Sequence, residues 1–370
     1  MGVAPKPRRD RSRRLRQIGA TLNAVPGEVP AQARAWAYGD GAPPRALGLM
    51  RNQWAVSKLR IEAPLRALQR AGHAQRPWLH AVQSHGLPEL EALAAIDPDV
   101  MLLPPYLDEP QVCWLEACAQ RLRTRRVLII DDLWTDLPQD NPLRSQLPGD
   151  LEQRLQRIAR ACDAVVYTTE ALAHALPLPA AEHFCIGHAL EPERWAPTAQ
   201  RSVPTSSNRR LRVGWAGGPQ HVADLEVLAE VMDATGDEFE WVFMGIAPKG
   251  AAALPMVDFD RYPSALHALQ LDIALAPLVD HSFNRCKSPL KLIEYGWLDV
   301  PVIASRVGPY IDTPALHVDS HSAEAWLAAL RLLAAEPARR RDLAHALAAY
   351  SRRASPQVTL DPWRRALGLS

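Results

Sequence analysis

The sequence predicts an α/β protein made of two consecutive domains, each built on a parallel sheet. Three observations carry this. The chain has 370 residues, and single hydrophobic cores rarely grow past roughly 250–300 residues. Short continuous apolar runs alternate with helical patterns in two successive series, as strands covered on both faces do. Between the series lies WAPTAQRSVPTSSNRR, residues 195–210, whose Pro, Ser and Thr content reads as a linker.

The region up to about residue 43 is rich in Ala, Pro and Gly without a clear period and reads as tail and linker. Ala46 to Met50 then opens the first series. Residues 58–71 form a helix with Leu59, Leu65 and Leu68 near one face and Gly72 as its stop. Trp78 to Val82 is a strand, Leu87 to Ala95 a helix and Val100 to Leu103 a strand. A helix over 109–123 leads into Val127-Leu128-Ile129-Ile130, the strongest strand of the chain. After a helix over 150–162 comes the strand Ala164 to Tyr167, and Thr168-Thr169-Glu170 caps the helix that follows. The second series starts with Leu211 to Trp215, ending in Gly217-Gly218. A helix over 221–235, strands at Trp241 to Met244 and Val257 to Phe259, and a helix from Pro263 to Leu269 come next. Ile273 to Ala276 is a strand, 289–298 a helix, Pro301 to Ala304 a strand and 322–353 a long helical region. Residues 361–369 form a last helix. No internal repeat at a period of 20–50 residues is seen.

A hydrophobic fraction of 48% with 22% charged residues excludes a disordered chain. The net charge is only +1, but residues 1–16 hold seven basic side chains against Asp10. Two readings of this arm stand: a solvated tail of mutually repelling charges, or a peripheral contact with anionic membrane. A nucleic-acid partner is not expected, because the body is mildly acidic and carries no RNA-binding motif. Five cysteines without a C-x-x-C pair argue against a zinc site or disulfide framework and for reduced thiols in the cytoplasm. No apolar run approaches the ~20 residues that span a bilayer, and the basic start is not followed by a secretory apolar segment.

The most informative stretch is HSFNRCKSPLKLIEYGWLDVPVIASRVGPY, residues 281–310. A strand ends in a polar loop, Ser288 can cap a helix and Pro289 can occupy its first position. The free amides of Leu290 and Lys291 at such a start attract anions, and Lys287 stands beside them. Lys287, Lys291 and Glu294 are spaced to face one side of the helix, with Leu290, Ile293 and Trp297 on another. A phosphate at the helix start and a sugar hydroxyl on Glu294 would suit a nucleotide diphosphate. A solvated face with a Lys291–Glu294 ion pair is the competing reading. Gly217 and Gly218 would let backbone approach a diphosphate, with His221 next to it. Asp131 and Asp132, at the end of the strongest strand, suit an acceptor hydroxyl or a developing oxocarbenium charge; the competing reading is a helix cap plus a surface acid.

The pattern N-x-x-K-S-x-x-K-x-x-E-Y from Asn284 to Tyr295, followed by V-P-V-I-A-S and G-P-Y, resembles the donor-binding signature of GT-B glycosyltransferases. It is most similar to the family 4-like, group 1 enzymes of bacterial surface-polysaccharide and O-antigen synthesis. The resemblance implies two Rossmann-like domains with parallel sheets facing across a cleft. Its divisions are a tail and linker over 1–43, an acceptor-side domain over 44–195, a linker over 196–210, a nucleotide-sugar domain over 211–355, and a segment over 356–370 packing back on the first domain. It implies that Glu294 accepts hydrogen bonds from the donor ribose. Ser288, Lys291, Gly217, Gly218 and His221 would line the donor, and Asp131, Asp132 and Lys287 would serve catalysis. No metal and no cofactor are expected: the nucleotide sugar is a substrate, its acceptor a glycan or lipid-linked hydroxyl, and transfer retains configuration. Departures are clear as well. The first acid of the family's E-x7-E motif falls on Cys286, the usual Gly before V-P-V is Asp299, and the basic K-G pair after the first donor-domain strand is missing. His188 replaces part of the family's turn at the hinge. These departures leave open a catalytically degenerate scaffold that binds a nucleotide sugar or glycan.

Overall fold

The computed structural model describes residues 31–38, 41–195 and 209–369. The basic arm and most of the linker lie outside them. Two sheets, both wholly parallel, organise the chain. The first holds β1 (Ala46–Met50), β2 (Trp78–Ala81), β3 (Val100–Leu103), β4 (Arg125–Ile130), β5 (Ala164–Tyr167) and β6 (Glu182–Cys185), in the order β2-β1-β3-β4-β5-β6. The second holds β7 (Leu211–Gly217), β8 (Phe239–Gly245), β9 (Ile273–Ala276), β10 (Val302–Ser305) and β11 (Leu316–Val318), in the order β11-β10-β9-β7-β8. Strands β1, β3, β5, β9 and β10 are buried at every position, which is why they read as unbroken apolar runs.

Each sheet reverses its strand order once, between β1 and β3 in the first and between β7 and β9 in the second. In doubly wound folds the crevice at such a switch, outside the carboxyl ends of the strands, is where ligands bind.

Helices cover the two faces. Those used here are α1 (Ala63–Arg70), α2 (Glu170–Ala175), α3 (Glu226–Thr235), α4 (Tyr262–Ala268), α5 (Ser282–Arg285), α6 (Leu290–Trp297), α7 (Ala323–Ala335), α8 (Pro337–Arg352) and α9 (Pro356–Ala366). Pro337 divides the expected 322–353 helix into α7 and α8, because proline cannot donate to the preceding turn. The last helix, α9, crosses back to the first domain. Trp363 is 3% exposed among the β1, β3, β4 and β5 side chains, and Arg125 Nε donates to the Ala366 carbonyl at 3.0 Å.

The structure departs from the sequence reading at other places too. Residues 257–259 form no strand; only a bridge between Met244 and Leu254 extends β8, and Pro255 lacks the amide to continue it. Strands β6 and β11 were not foreseen, since Glu182–Cys185 is a largely exposed polar edge and β11 is three residues long. Residues 31–38 are more than linker: Ala31–Arg34 is helical, and buried Trp36 donates from Nε1 to the Arg76 carbonyl at 2.9 Å. Finally, the helix expected over 58–71 starts with a π-helical turn, Lys58–Glu62, before α1.

Candidate functional site

The site is assembled from loops at the carboxyl ends of β4, β7 and β9. Strand β9 exits at Ala276, and Leu278 donates its amide to the Ser305 hydroxyl at 2.8 Å. The chain then makes the short helix α5, capped by His281, whose Nδ1 accepts from the Asn284 amide at 3.3 Å. It turns through Cys286, Lys287 and Ser288 into α6. The cap expected at Ser288 is not made. Helix α6 begins at Leu290 with Pro289 in the cap position, and no side chain caps it. The amides of Leu292 and Ile293 return to the Pro289 carbonyl, at 3.0 and 3.1 Å. Pro289 thus stands one place earlier than expected, and Ser288 belongs to the loop.

Glu294 is 6% exposed. Its Oε2 accepts from the Tyr262 hydroxyl of α4 at 3.1 Å and from Lys291 Nζ at 3.5 Å. Lys291 also lies 3.4 Å from the Tyr262 hydroxyl and 5.5 Å from the Trp215 ring centroid. The Lys291–Glu294 pair therefore exists, but not on a solvated face; it sits in an aromatic frame of Trp215, Tyr262 and, against Tyr262, Trp195. Burial and the neighbouring Glu294 charge push the Tyr262 phenol well above its ordinary range, so this hydroxyl stays a donor. One residue on, the Tyr295 hydroxyl oxygen accepts from the Ala216 amide at 3.1 Å. This ties α6 to the end of β7.

At that end, Gly217 and Gly218 lead into a 3-10 turn, Pro219–His221, instead of directly into a helix. A Cβ on Gly217 would fall 2.4 Å from the Trp215 ring, so a glycine here is required for packing Trp215. His221 Nδ1 lies 2.7 Å from Asp224 Oδ2, and Asp224 Oδ1 accepts from the Val279 amide and Asn284 Nδ2, both at 2.8 Å. One buried carboxylate therefore fastens the β7 loop to the β9 loop across the switch point. Desolvation, followed by the charge of Lys287, lowers the His221 pKa to about 4, against the opposing pull of Asp224.

Lys287 reaches over the Phe283 ring, with Nζ 4.4 Å from its centroid and 4.0 Å from Asp132 Oδ1 on the opposite domain. Asp131 and Asp132 follow β4 and are half-buried. Desolvation pushes both carboxyls upward. Asp131 is raised further by Asp132, to about 7, while the Lys287 charge opposes the shift of Asp132. Two adjacent carboxyls of this kind titrate as a pair, and one of them is able to hold a proton near neutrality. Arg60, fully buried, interacts electrostatically with Asp131 and donates from Nη1 to the carbonyls of Ile186 and Gly187 at 2.6 and 3.1 Å. His188, beside it, is held neutral by burial and then by Arg60, with its pKa near 3 and Nδ1 unpaired among the described residues.

Cys286 takes a different part from the acid it replaces in the resemblance. Its carbonyl accepts from the Thr169 hydroxyl at 2.8 Å, and its Sγ lies 3.6 Å from the Ala171 carbonyl. With Phe283 it is buried among side chains of the first domain. Thr169 also caps α2, accepting from the Leu172 amide at 3.1 Å. Ser282 donates to Asp136 on the same seam. The structure thus brings Asp132, Lys287, Ser288, Lys291, Glu294, His221 and the Gly217-Gly218 loop to one edge of the cleft. The residues missed by sequence reading are Tyr262, Asp224 and Asn284. Asn284 lay within the quoted motif, and Asp224 follows His221 at helical spacing.

The gap between the domains around Pro138, Pro219, His281 and Asn284 is narrow, about 20 Å³, room for about one water molecule. A larger cavity of about 330 Å³ lies wholly in the first domain.

No protein-family model matches the chain, and no curated protein matches it. Solved structures do. A sucrose-phosphate synthase from Thermosynechococcus elongatus superposes with a TM-score of 0.64 at 15% identity, over 89% of this chain and 100% of that one. HepE of Anabaena, in complex with UDP-glucose, gives 0.63 at 9% identity, over 88% and 99%. An α-glucosyltransferase in complex with UDP and a 13-mer DNA gives 0.63 at 9% identity, over 88% and 100%. Together with the two parallel sheets, these similarities define a GT-B fold.

Proposed function

We propose that the chain transfers a glycosyl group from a nucleotide-sugar donor held at the β7/β9 switch point. The observation that carries this is the approach of Lys287 to Asp132 across the cleft, at 4.0 Å, beside the start of α6. A cation and a helix start are there for a leaving diphosphate, and a carboxylate faces them from the other domain. Solved structures of similar fold were determined with UDP or UDP-glucose, which makes a nucleotide sugar the first donor class to test.

In this reading Lys287, with the free amides at the start of α6, takes up the negative charge that grows on the diphosphate as the glycosidic bond breaks. Lys291 and Glu294 receive the nucleoside side of the donor. The Asp131–Asp132 pair faces the sugar, where one protonated and one ionised carboxyl can hold an acceptor hydroxyl and balance oxocarbenium charge. Leaving-group charge is assigned to the protein and not to a metal ion or cofactor, so activity that persists in EDTA is expected. Retention of configuration, a glycan or lipid-linked acceptor, and a role in bacterial surface-polysaccharide synthesis belong to the same proposal. So do a cytoplasmic site of action and a peripheral membrane contact of the basic arm.

A second reading, a scaffold that binds donor without turnover, is favoured by one observation: Cys286 closes the interdomain seam where the resembling enzymes place an acid. The test of both is donor-induced thermal stabilisation with UDP-sugars, run beside donor hydrolysis. Stabilisation with hydrolysis supports the transferase. Stabilisation alone supports the scaffold, and neither response to any nucleotide sugar refutes both.

A further inference from the structure

His221 and Asp224 follow β7 and form a pair with a fixed direction. Asp224 is 5% exposed. Its Oδ1 accepts from the Val279 amide and from Asn284 Nδ2, both at 2.8 Å, which leaves Oδ2 for His221 Nδ1 at 2.7 Å. A carboxylate offers lone pairs and no hydrogen. The hydrogen of this bond therefore sits on Nδ1, and in a neutral imidazole Nε2 then carries the lone pair. The Trp215 ring, 5.7 Å away and edge to face, fixes the imidazole from another side. No described residue hydrogen-bonds to Nε2, yet this atom is not sealed off as the unpaired Nδ1 of His188 is. With the side chain 12% exposed, Nε2 reaches solvent at the carboxyl end of β7.

The ring stays neutral between two ammonium groups. Desolvation first, then the charges of Lys287 and Lys291, disfavour a second proton on it against the pull of Asp224. The cations of this edge are the lysines, and His221 adds a lone pair. The diphosphate oxygens of a nucleotide sugar carry no hydrogen at neutral pH, so one placed on Nε2 would set two lone pairs against each other. A hydroxyl can donate to Nε2. A nucleotide sugar has hydroxyls on its ribose and on its sugar. In the reading above the ribose falls to Glu294, which leaves the sugar.

We infer that His221 Nε2, oriented by Asp224, accepts a hydrogen bond from a hydroxyl of the donor's sugar, and so favours a sugar with a hydroxyl at that place over one with a carboxylate or phosphate there. This rests on the glycosyl-transfer reading and deepens it. His221 is then a specificity residue for the sugar and not a ligand of the diphosphate, and Asp224 is its positioning residue.

Two measurements on the full-length protein test this. Nitrogen-15 NMR of the ligand-free protein at neutral pH reports the ring's tautomer, with the His221 signals assigned by their loss in His221→Asn. A hydrogen on Nδ1 and a bare Nε2 are expected; a hydrogen on Nε2 overturns the inference and leaves the glycosyl-transfer reading standing. The second measurement compares the affinities of UDP-glucose and GDP-mannose with those of UDP and GDP in wild type and His221→Asn. The asparagine amide can replace Nδ1 as donor to Asp224 and has nothing at the place of Nε2. The nucleotide sugar should weaken about 2- to 12-fold, the loss of one neutral hydrogen bond, with the free diphosphate unchanged. Equal weakening of both, or of neither, overturns the inference. Should the variant not fold, deoxy analogues of the bound nucleotide sugar carry the test in the wild type: one of them should lose the same factor, and no loss with any of them overturns the inference. A wild type that binds no nucleotide sugar strikes the glycosyl-transfer reading itself, and the inference falls with it.

Discussion

Glu294 offers the most direct perturbation of the proposed donor site. Its carboxylate is 6% exposed and accepts from the Tyr262 hydroxyl and, more weakly, from Lys291. Glu294→Ala therefore strips a buried phenol and a nearby ammonium of their acceptor, which costs about 1–3 kcal/mol of stability. For a domain of this size that is a fall in melting temperature of roughly 2–12 °C. The alanine variant confounds folding with binding. Glu294→Gln keeps an oxygen acceptor for Tyr262 and removes only the charge, so it should melt within a few degrees of wild type. If Glu294 accepts the donor ribose, losing hydrogen bonds to a charged acceptor weakens binding by about 1.5–3 kcal/mol, or roughly 10- to 150-fold. Titration calorimetry with UDP and with uridine measures this. Both ligands should weaken in the glutamine variant, because both carry the ribose. Unchanged affinity for both in a folded Glu294→Gln protein would refute the ribose assignment and leave Glu294 as a packing residue of Tyr262.

Three further predictions concern other elements. Lys287→Ala should lower kcat more than donor affinity, because diphosphate charge grows in the transition state; steady-state kinetics with a hydrolysable donor checks this, and equal wild-type and variant kcat would count against it. His221 and Asp131 should pull stability in opposite directions between about pH 6.5 and 4: His221 is depressed to about 4 when folded, so its contribution is lost as pH falls, whereas Asp131 is raised to about 7, so its contribution grows as pH falls. The two nearly offset each other in the wild type, so melting curves of His221→Gln should show stability gained on acidification and those of Asp131→Asn stability lost, and unchanged pH dependence in both variants would count against these shifts. Trp363→Ala should cost about 3–5 kcal/mol in urea unfolding, because its ring is 3% exposed in the core of the first domain and carries the Arg60 guanidinium at 5.2 Å.

The parts of the fold that were legible are those where burial is complete. Strands β1, β3, β5, β9 and β10 announce themselves because both their faces are covered and every position is apolar. Strand β6, an exposed polar edge, carries no such mark. The three-residue β11 is too short to show a period. The site was legible as a neighbourhood. Lys287, Lys291, Glu294, Gly217 and Asp132 do converge, because parallel sheets bring their carboxyl-end loops to one side. Local geometry was not legible: the start of α6 depends on how Pro289 closes a turn from α5, and α5 is fixed by Asn284 binding the Asp224 carboxylate and the Val279 carbonyl. No spacing rule within a single segment contains a contact between residues sixty positions apart.

The two departures from the resembling motif have different physical meanings. Asp299 stands where a glycine is usual, and its backbone does adopt the left-handed region, with φ of +54°. Aspartate is one of the few side chains that tolerates this conformation, and Arg352 of α8 lies 3.6 Å from its carboxylate. The turn into β10 is therefore kept with a different residue, and the departure says nothing about chemistry. Cys286 does not keep the role of the acid it replaces. Its thiol is 4% exposed against the first domain, near the Ala171 carbonyl, where a carboxylate would be buried without a cation to pair with it. Desolvation raises its pKa as well, so the thiol remains neutral and cannot stand in for a negative charge. The electrostatic work at this end of the cleft thus falls to Asp132 and Lys287, which meet across the domain boundary, and the transferase and scaffold readings divide on whether that single pair is enough.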